Sequence, residues 1–300
     1  SAPVPVPDDA LAPDECPGLF CVQDGAPPEQ EAALRVAAEA RGVPFWPLRA
    51  SRIDLTRPDV LPDGALLYTI ATSMAAMRAV ERLWHPGVGT IFTTPLGPLQ
   101  QTFCQPRAFE IAGIPVPSWC PLLDARVASL QRAAEALGGF PLVARHAGGS
   151  CGFGIVRLDS LVSLRTWAEL VVSRGMSAEL VAMEHGTNWR VAVVDGRVAG
   201  HCRNVIREND FRSMSPSDPS DYRRAVPPRV VEVAIAATEA VGARLAGVDV
   251  LEREDGSVVV FEANVPFYFA GLQQFGHDVA GAIVESMLRD AKRRVTRAAC

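Results

Sequence analysis

The chain has 300 residues, 48% of them hydrophobic, enough apolar mass for one large domain or two to three smaller ones with real cores. Its 29 basic and 34 acidic residues leave a net charge of −5, which argues against the basic face that nonspecific nucleic-acid binding requires. No apolar run approaches the ~20 residues of a membrane span, so no membrane partner is expected.

Residues 1–18 are rich in proline and acidic residues and lack a basic n-region and an apolar h-region, so they read as a flexible tail of a soluble, cytoplasmic protein. Seven cysteines without paired metal spacing read as reduced thiols, and five scattered histidines give a zinc site little support. Residues 19–98 then alternate. GLFCV (18–22), VPFWPL (43–48), ALLYTI (65–70) and VGTIF (88–92) have strand character, and 29–41 and 73–84 have helical periodicity. This βαβ rhythm predicts a small parallel sheet covered by helices, without the G-x-G-x-x-G turn of a dinucleotide site.

A second unit begins near 99. A short helix at 103–112 leads into GIPVPSW (113–119), whose prolines force an extended crossing. Helices are expected over 125–137 and 160–174, with strands at 141–145, 154–158 and 179–183. From Trp189 the pattern is strand-rich, followed by a helix over 229–244, two apolar strands at 246–251 and 257–264, and a last helix over 278–293. The polar, proline-containing stretch 213–222 reads as a mobile loop.

Three features carry chemistry. The segments AGVDVL and SVVVFEAN are joined by a Gly-containing turn, so pairing as a hairpin brings Asp249 beside Glu262 and Asn264, the last two facing one side. Three hard oxygen ligands of this kind suit Mg²⁺ completed by water and phosphate oxygens, although an ordinary hairpin with acidic ends fits the same pattern. HAGGSCGFG (146–154) concentrates glycines between two strands, so that the backbone at Gly148, Gly149, Ser150, Gly152 and Gly154 can approach phosphate oxygens. Cys151 inside this loop is open to a nucleophilic role or to none. Arg145 ends the strand before the loop, and no Ser-His or Cys-His pattern suggests a covalent nucleophile.

Taken in order, these stretches resemble the ATP-grasp superfamily over roughly 99–296. Asp249 to Glu-Ala-Asn at 262–264 resembles its metal-binding end, 140–158 its phosphate-covering strand and loop, 183–205 its adenine-side hinge and following strands, and Asp210-Phe211-Arg212-Ser213 a stretch of the branch containing ribosomal protein glutamate ligases. The resemblance implies α/β and α+β architecture: a preATP-grasp parallel α/β domain (19–98), then a two-subdomain ATP-grasp fold with a central subdomain (99–185) and a C-terminal subdomain (186–300). It implies ATP as cosubstrate, Mg²⁺ or alternatively Mn²⁺ on Asp249, Glu262 and Asn264, and nucleotide contacts from the loop, Arg145, Glu184 and Asn188. Catalytic roles fall to Arg145, Arg203 and Arg212.

The implied reaction joins a carboxylate to an amine through an acylphosphate, with small-molecule or peptide carboxylates and amines as substrates and glutamate as one candidate. A homo-oligomer remains open. Three departures stand out. Arg145 occupies a position where the family has lysine, in a chain whose only lysine is Lys292. A second family lysine falls on about Gln101 or Thr102, with Arg107 one turn further on. After Asn264 the usual small-residue loop is replaced by Val265-Pro266-Phe267-Tyr268-Phe269, in which alternation sends Tyr268 opposite to the two phenylalanines as core or acceptor pocket. A nucleotide-binding protein that has lost catalysis and a phosphotransferase with a hydroxyl acceptor are the competing readings.

Overall fold

A computed structural model describes residues 18–23, 27–49, 51, 61–71, 73–92, 105–146 and 154–298. Most of the expected tail, the positions Gln101 and Thr102, and Gly148, Gly149, Ser150, Cys151 and Gly152 lie outside the described residues.

The first sheet is parallel, with β1 (Leu19–Val22) between β2 (Phe45–Leu48) and β3 (Leu66–Thr69), and β4 (Gly89–Thr90) outside β3. Every residue of β1 and β3 is buried, as befits strands whose sequence is apolar on both faces. Helices α1 (Pro28–Glu39) and α2 (Met74–Leu83) are the crossovers, the second capped by the Ser73 hydroxyl, which accepts from the Ala76 amide.

After α3 (Gln105–Ile111) comes an antiparallel sheet of β5 (Trp119–Pro121), β6 (Leu142–His146), β7 (Ile155–Leu158) and β8 (Ala178–Ala182), ordered β5-β8-β6-β7. One face packs Leu142, Ala144, Leu158 and Leu180 against α4 (Val127–Ala136) and α5 (Leu161–Ser173), and α5 opens on a Ser160/Ser163 capping box. The extended crossing into this unit thus ends as a strand, since Trp119, Cys120 and Pro121 pair with β8.

The third sheet runs β11-β10-β9-β12-β13, with β9 (Thr187–Val194), β10 (Arg197–Ile206), β11 (Ser213–Met214), β12 (Leu245–Glu252) and β13 (Val258–Asn264). Val191, Val193, Val248 and Val250 bury one face under α7 (Pro228–Ala240). That helix stops short of the expected 244 because Leu245 already begins β12. On the other face Ala192 and Val194 join a core shared with the first sheet, α8 (Ala270–Gln274) and α9 (Val279–Ala298). Among the described residues no helix is long and apolar enough to cross a membrane.

The stretch 213–222 departs from the expected mobile loop. It holds β11 and α6 (Pro219–Arg223), which starts on an Asp218 cap with proline at its first turn and buries Asp221 and Tyr222, the Tyr222 hydroxyl donating to the Pro216 carbonyl at 2.9 Å. Polar composition hid a short capped helix.

Arg244 knots the units together. Its guanidinium donates to Asp195 at 2.8 Å, the Ser286 hydroxyl at 2.8 Å and the Thr90 carbonyl at 3.1 Å, so the β9–β10 turn, α9 and the first sheet meet on one side chain. Burial alone would raise the Asp195 carboxyl, but bonds from Arg244, Ser286 and Arg289 hold it at about 2, below its ordinary 3.8. A depressed carboxyl contributes stability above its ordinary value and loses it as pH falls toward the folded one. Asp195→Asn should therefore cost about 2 kcal/mol at neutral pH and flatten the loss of melting temperature between about pH 4 and pH 2, as followed by circular dichroism.

Candidate active site

The β12–β13 pairing sets Asp249 opposite Glu262 and Gly247 opposite Asn264, with a bulge after Asp249. The Asn264 Nδ2 donates to Glu262 Oε1 at 3.0 Å and to Asp249 Oδ2 at 3.3 Å, so all three expected ligands converge. A fourth residue joins them. Central β9 places Arg190 opposite Asp249, and its Nε and Nη2 grip the two carboxylate oxygens at 2.5 and 2.8 Å. Burial drives the Asp249 carboxyl up, Arg190 draws it back and Glu262 pushes it up again, leaving it at about 6.

Acidic groups crowded with one counter-charge form a site that a cation relieves. Among the described residues no group of three or more His, Cys, Asp or Glu side chains forms a metal cluster. Two carboxylates and an amide suit an oxygen-loving ion that brings water and phosphate oxygens of its own, and they fit Mg²⁺.

Arg145 lies on the face of the second sheet turned away from its helices, opposite Glu179 in register, and the two form an ion pair. Glu179 is 2% exposed and Arg145 14%. Burial raises the Glu179 carboxyl, Arg145 lowers it, and Glu262 raises it further, so the net shift is upward and the third sheet's acidic set is within electrostatic reach. At the far end of the glycine-rich stretch, Gly154 takes φ +83°, and a Cβ there would meet the His146 ring at 2.6 Å, so the strands close only around glycine.

Glu184 receives two bonds from Arg253, at 2.7 and 2.8 Å, which fasten the end of β8 to the turn of the β12–β13 hairpin. Next to it, a Cβ at Gly186 would stand 2.2 Å from the Glu252 carbonyl, so only glycine lets the chain cross there. Asn188 lies between Asn204 and Leu251 in register, on the face that carries Arg190 and Asp249.

The other arginines are not brought to the acidic set. Arg203 pairs with Trp189, whose face is covered by α7, and its guanidinium bonds Asp221 at 2.7 Å. Arg212 is held within its own turn by two 2.9 Å bonds to Asp210. Arg107 reaches Glu110 at 2.9 Å on the exposed side of α3. Sequence reasoning therefore gave Arg190 no role and missed Glu179. Strand parity was a signal for Arg190; only the β6–β8 register reveals Glu179.

Residues 112–287 match the family model described as a RimK-like ATP-grasp domain. The chain belongs to the RimK-like ATP-grasp family. A probable alpha-L-glutamate ligase of Citrobacter koseri is 32% identical over 165 residues, covering 52% of this chain and 53% of that protein. A ribosomal protein bS6–L-glutamate ligase of Salmonella paratyphi B is 30% identical over 163 residues, with the same two shares. The chain thus spans about half the length of the curated relatives it matches. A RimK domain ATP-grasp protein from Sphaerobacter thermophilus aligns with a TM-score of 0.68 at 19% identity, over 90% of this chain and 99% of that one, so the likeness extends to the whole fold. The parallel first sheet and the two antiparallel sheets are the preATP-grasp and ATP-grasp layers of this RimK-like architecture.

In this RimK-like chain the segment after Asn264 divides as alternation requires. Phe267 and Phe269 are 3% and 0% exposed and stack edge to face at 5.9 Å, whereas Tyr268 is 43% exposed with its hydroxyl 3.0 Å from Glu29. Phe269→Ala should cost about 3 kcal/mol through the cavity it leaves, and Tyr268→Ala well under about 1 kcal/mol. Denaturant titration of both variants checks this, and only Tyr268→Ala leaves room for an acceptor effect separate from folding.

Proposed function

We propose that this chain is an ATP-dependent ligase that joins a carboxylate to an amine. The convergence of Asp249, Glu262 and Asn264, with Glu179, the partner of Arg145, within electrostatic reach of Glu262, carries the reading. It assigns 19–98 to the preATP-grasp unit, 99–185 to the central subdomain with the lid, and 186–300 to the subdomain bearing the acidic set. Mg²⁺ on that set supplies charge neutralisation for the phosphate oxygens of ATP.

The chain's own residues position and desolvate. Arg145 steadies phosphate, Glu184 and Asn188 line the nucleoside side, and Arg190 fixes the Asp249 carboxylate in one orientation. An oxygen of the substrate carboxylate attacks the γ-phosphorus and ADP leaves; an amine then attacks the acyl carbon, phosphate leaves, and the amine proton passes to solvent. The names of the glutamate-ligating relatives favour glutamate as the amine and a peptide or small-molecule carboxylate as its acceptor. We retain Arg203 and Arg212 as acceptor-side candidates, reached only if they exchange Asp221 and Asp210 for substrate. A cytoplasmic setting agrees with free thiols at Cys21, Cys120 and Cys202.

The test is stoichiometric. ADP and orthophosphate should appear only when glutamate and a peptide ending in a free carboxylate are both present with Mg²⁺. Release of ADP with a hydroxyl acceptor alone, its phosphoryl group retained on that hydroxyl and no orthophosphate formed, would make the chain a phosphotransferase, and binding of Mg·ATP without release under any pairing would make it a nucleotide-binding protein.

A further inference from the structure

The family position that carries lysine carries Arg145 here, and the exchange is accompanied by a second residue. Glu179 stands directly across the β6–β8 ladder from it, and the two side chains close on each other in a setting where Glu179 is almost fully buried. The pair is incompletely satisfied. Arg145 Nε has no acceptor and Glu179 Oε2 has no donor, although both atoms are shielded from water. A buried guanidinium and carboxylate that were purely structural would be expected to fill such valences, since each one left open costs free energy. Open valences on the face turned away from the helices, with Glu262 within electrostatic reach, mark a place where another polar group is expected to enter.

We propose that Glu179 is a displaceable counter-ion: it holds the Arg145 guanidinium in place in the free protein and yields it to a phosphate oxygen when nucleotide binds, so that it sets nucleotide affinity. The inference rests on the nucleotide reading above. A guanidinium can serve both partners in turn because it presents several donors in one plane, whereas an ammonium is a point charge. The consequence is that affinity is held below what Arg145 alone would give, because the phosphate must compete with a carboxylate already in place.

Calorimetric titration of Mg·ATP, with adenosine as a probe lacking phosphate, tests this. Glu179→Gln keeps the shape and removes the charge, so Mg·ATP should bind about tenfold tighter, the size of one charge-assisted contact, while adenosine binds as before. Unchanged or weaker Mg·ATP binding in the folded variant overturns the proposal and makes Glu179 a brace. Should Glu179→Gln fail to fold, Glu179→Asp decides, because it keeps the charge and draws the carboxylate back: tighter Mg·ATP binding supports the proposal and unchanged or weaker binding overturns it. Wild-type protein that binds no Mg·ATP sinks the nucleotide reading and this inference with it, whereas wild-type binding with unaltered variants sinks this inference alone.

Discussion

Mg²⁺-dependent ATP turnover is expected to fall by about a thousandfold in Glu262→Gln, with the fold retained. Glu262 makes few structural commitments: its Oε1 accepts from Asn264 Nδ2, a bond that a glutamine oxygen can replace. What the substitution removes is one of the two negative charges that the hairpin register sets side by side. Without it, Asp249 keeps only the carboxylate already gripped by Arg190, and a divalent ion loses its freest ligand. Isothermal titration should show Mg·ATP affinity reduced while metal-free ATP is little affected, and the melting temperature should be unchanged or slightly higher, since Asp249 is relieved of a like charge. Equal Mg·ATP affinity and activity in the variant would remove the acidic set from the site.

The second large effect is expected at Arg145, and it has two parts. Arg145→Ala strands Glu179 in a setting only 2% exposed, so folding stability should drop by about 3 to 5 kcal/mol, the usual cost of breaking a buried pair from one side. At temperatures where the variant remains folded, Mg·ATP affinity should fall by about tenfold to a hundredfold through loss of one charge-assisted contact. Arg145→Lys should retain most of both, because an ammonium at the same place keeps a positive charge beside Glu179. Thermal melts and nucleotide titrations on the same preparations separate the two parts. An alanine variant of normal affinity would mean that another cation serves the phosphates.

How much of this was readable from the chain depends on whether the relevant contact is local. Asp249, Glu262 and Asn264 belong to two strands joined by one turn, and a period of two fixes which side chains share a face, so their meeting follows from sequence. The bulge after Asp249 was not visible, because no residue type marks it. Arg203 illustrates the opposite case. The resemblance implied a catalytic role for it, but the β9–β10 register gives Arg203 the face of Trp189 and sends its charge to Asp221. Glu179 could not be read at all, since its partner lies on a strand brought alongside only by folding. The short helix α6 escaped because proline and aspartate signal a turn as readily as a helix start.

Two buried glutamines give the third sheet a consequence beyond its own strands. Gln105 of α3 exchanges both amide atoms with the backbone of Ala263, at 2.8 and 2.9 Å, and Gln30 of α1 does the same for Phe267 and Phe269, at 3.0 and 2.9 Å. Gln105 finishes the open backbone edge of β13, and Gln30 satisfies the backbone of the segment between β13 and α8. Between these two fastenings lies Asn264, so the placing of a candidate metal ligand is dictated in part by a helix whose sequence is more than 200 residues away. Glutamate cannot stand in at either place, because a carboxylate has no hydrogen to give the carbonyl. Shortening this chain to the part that bears the acidic set would therefore discard both rivets that hold its end in register.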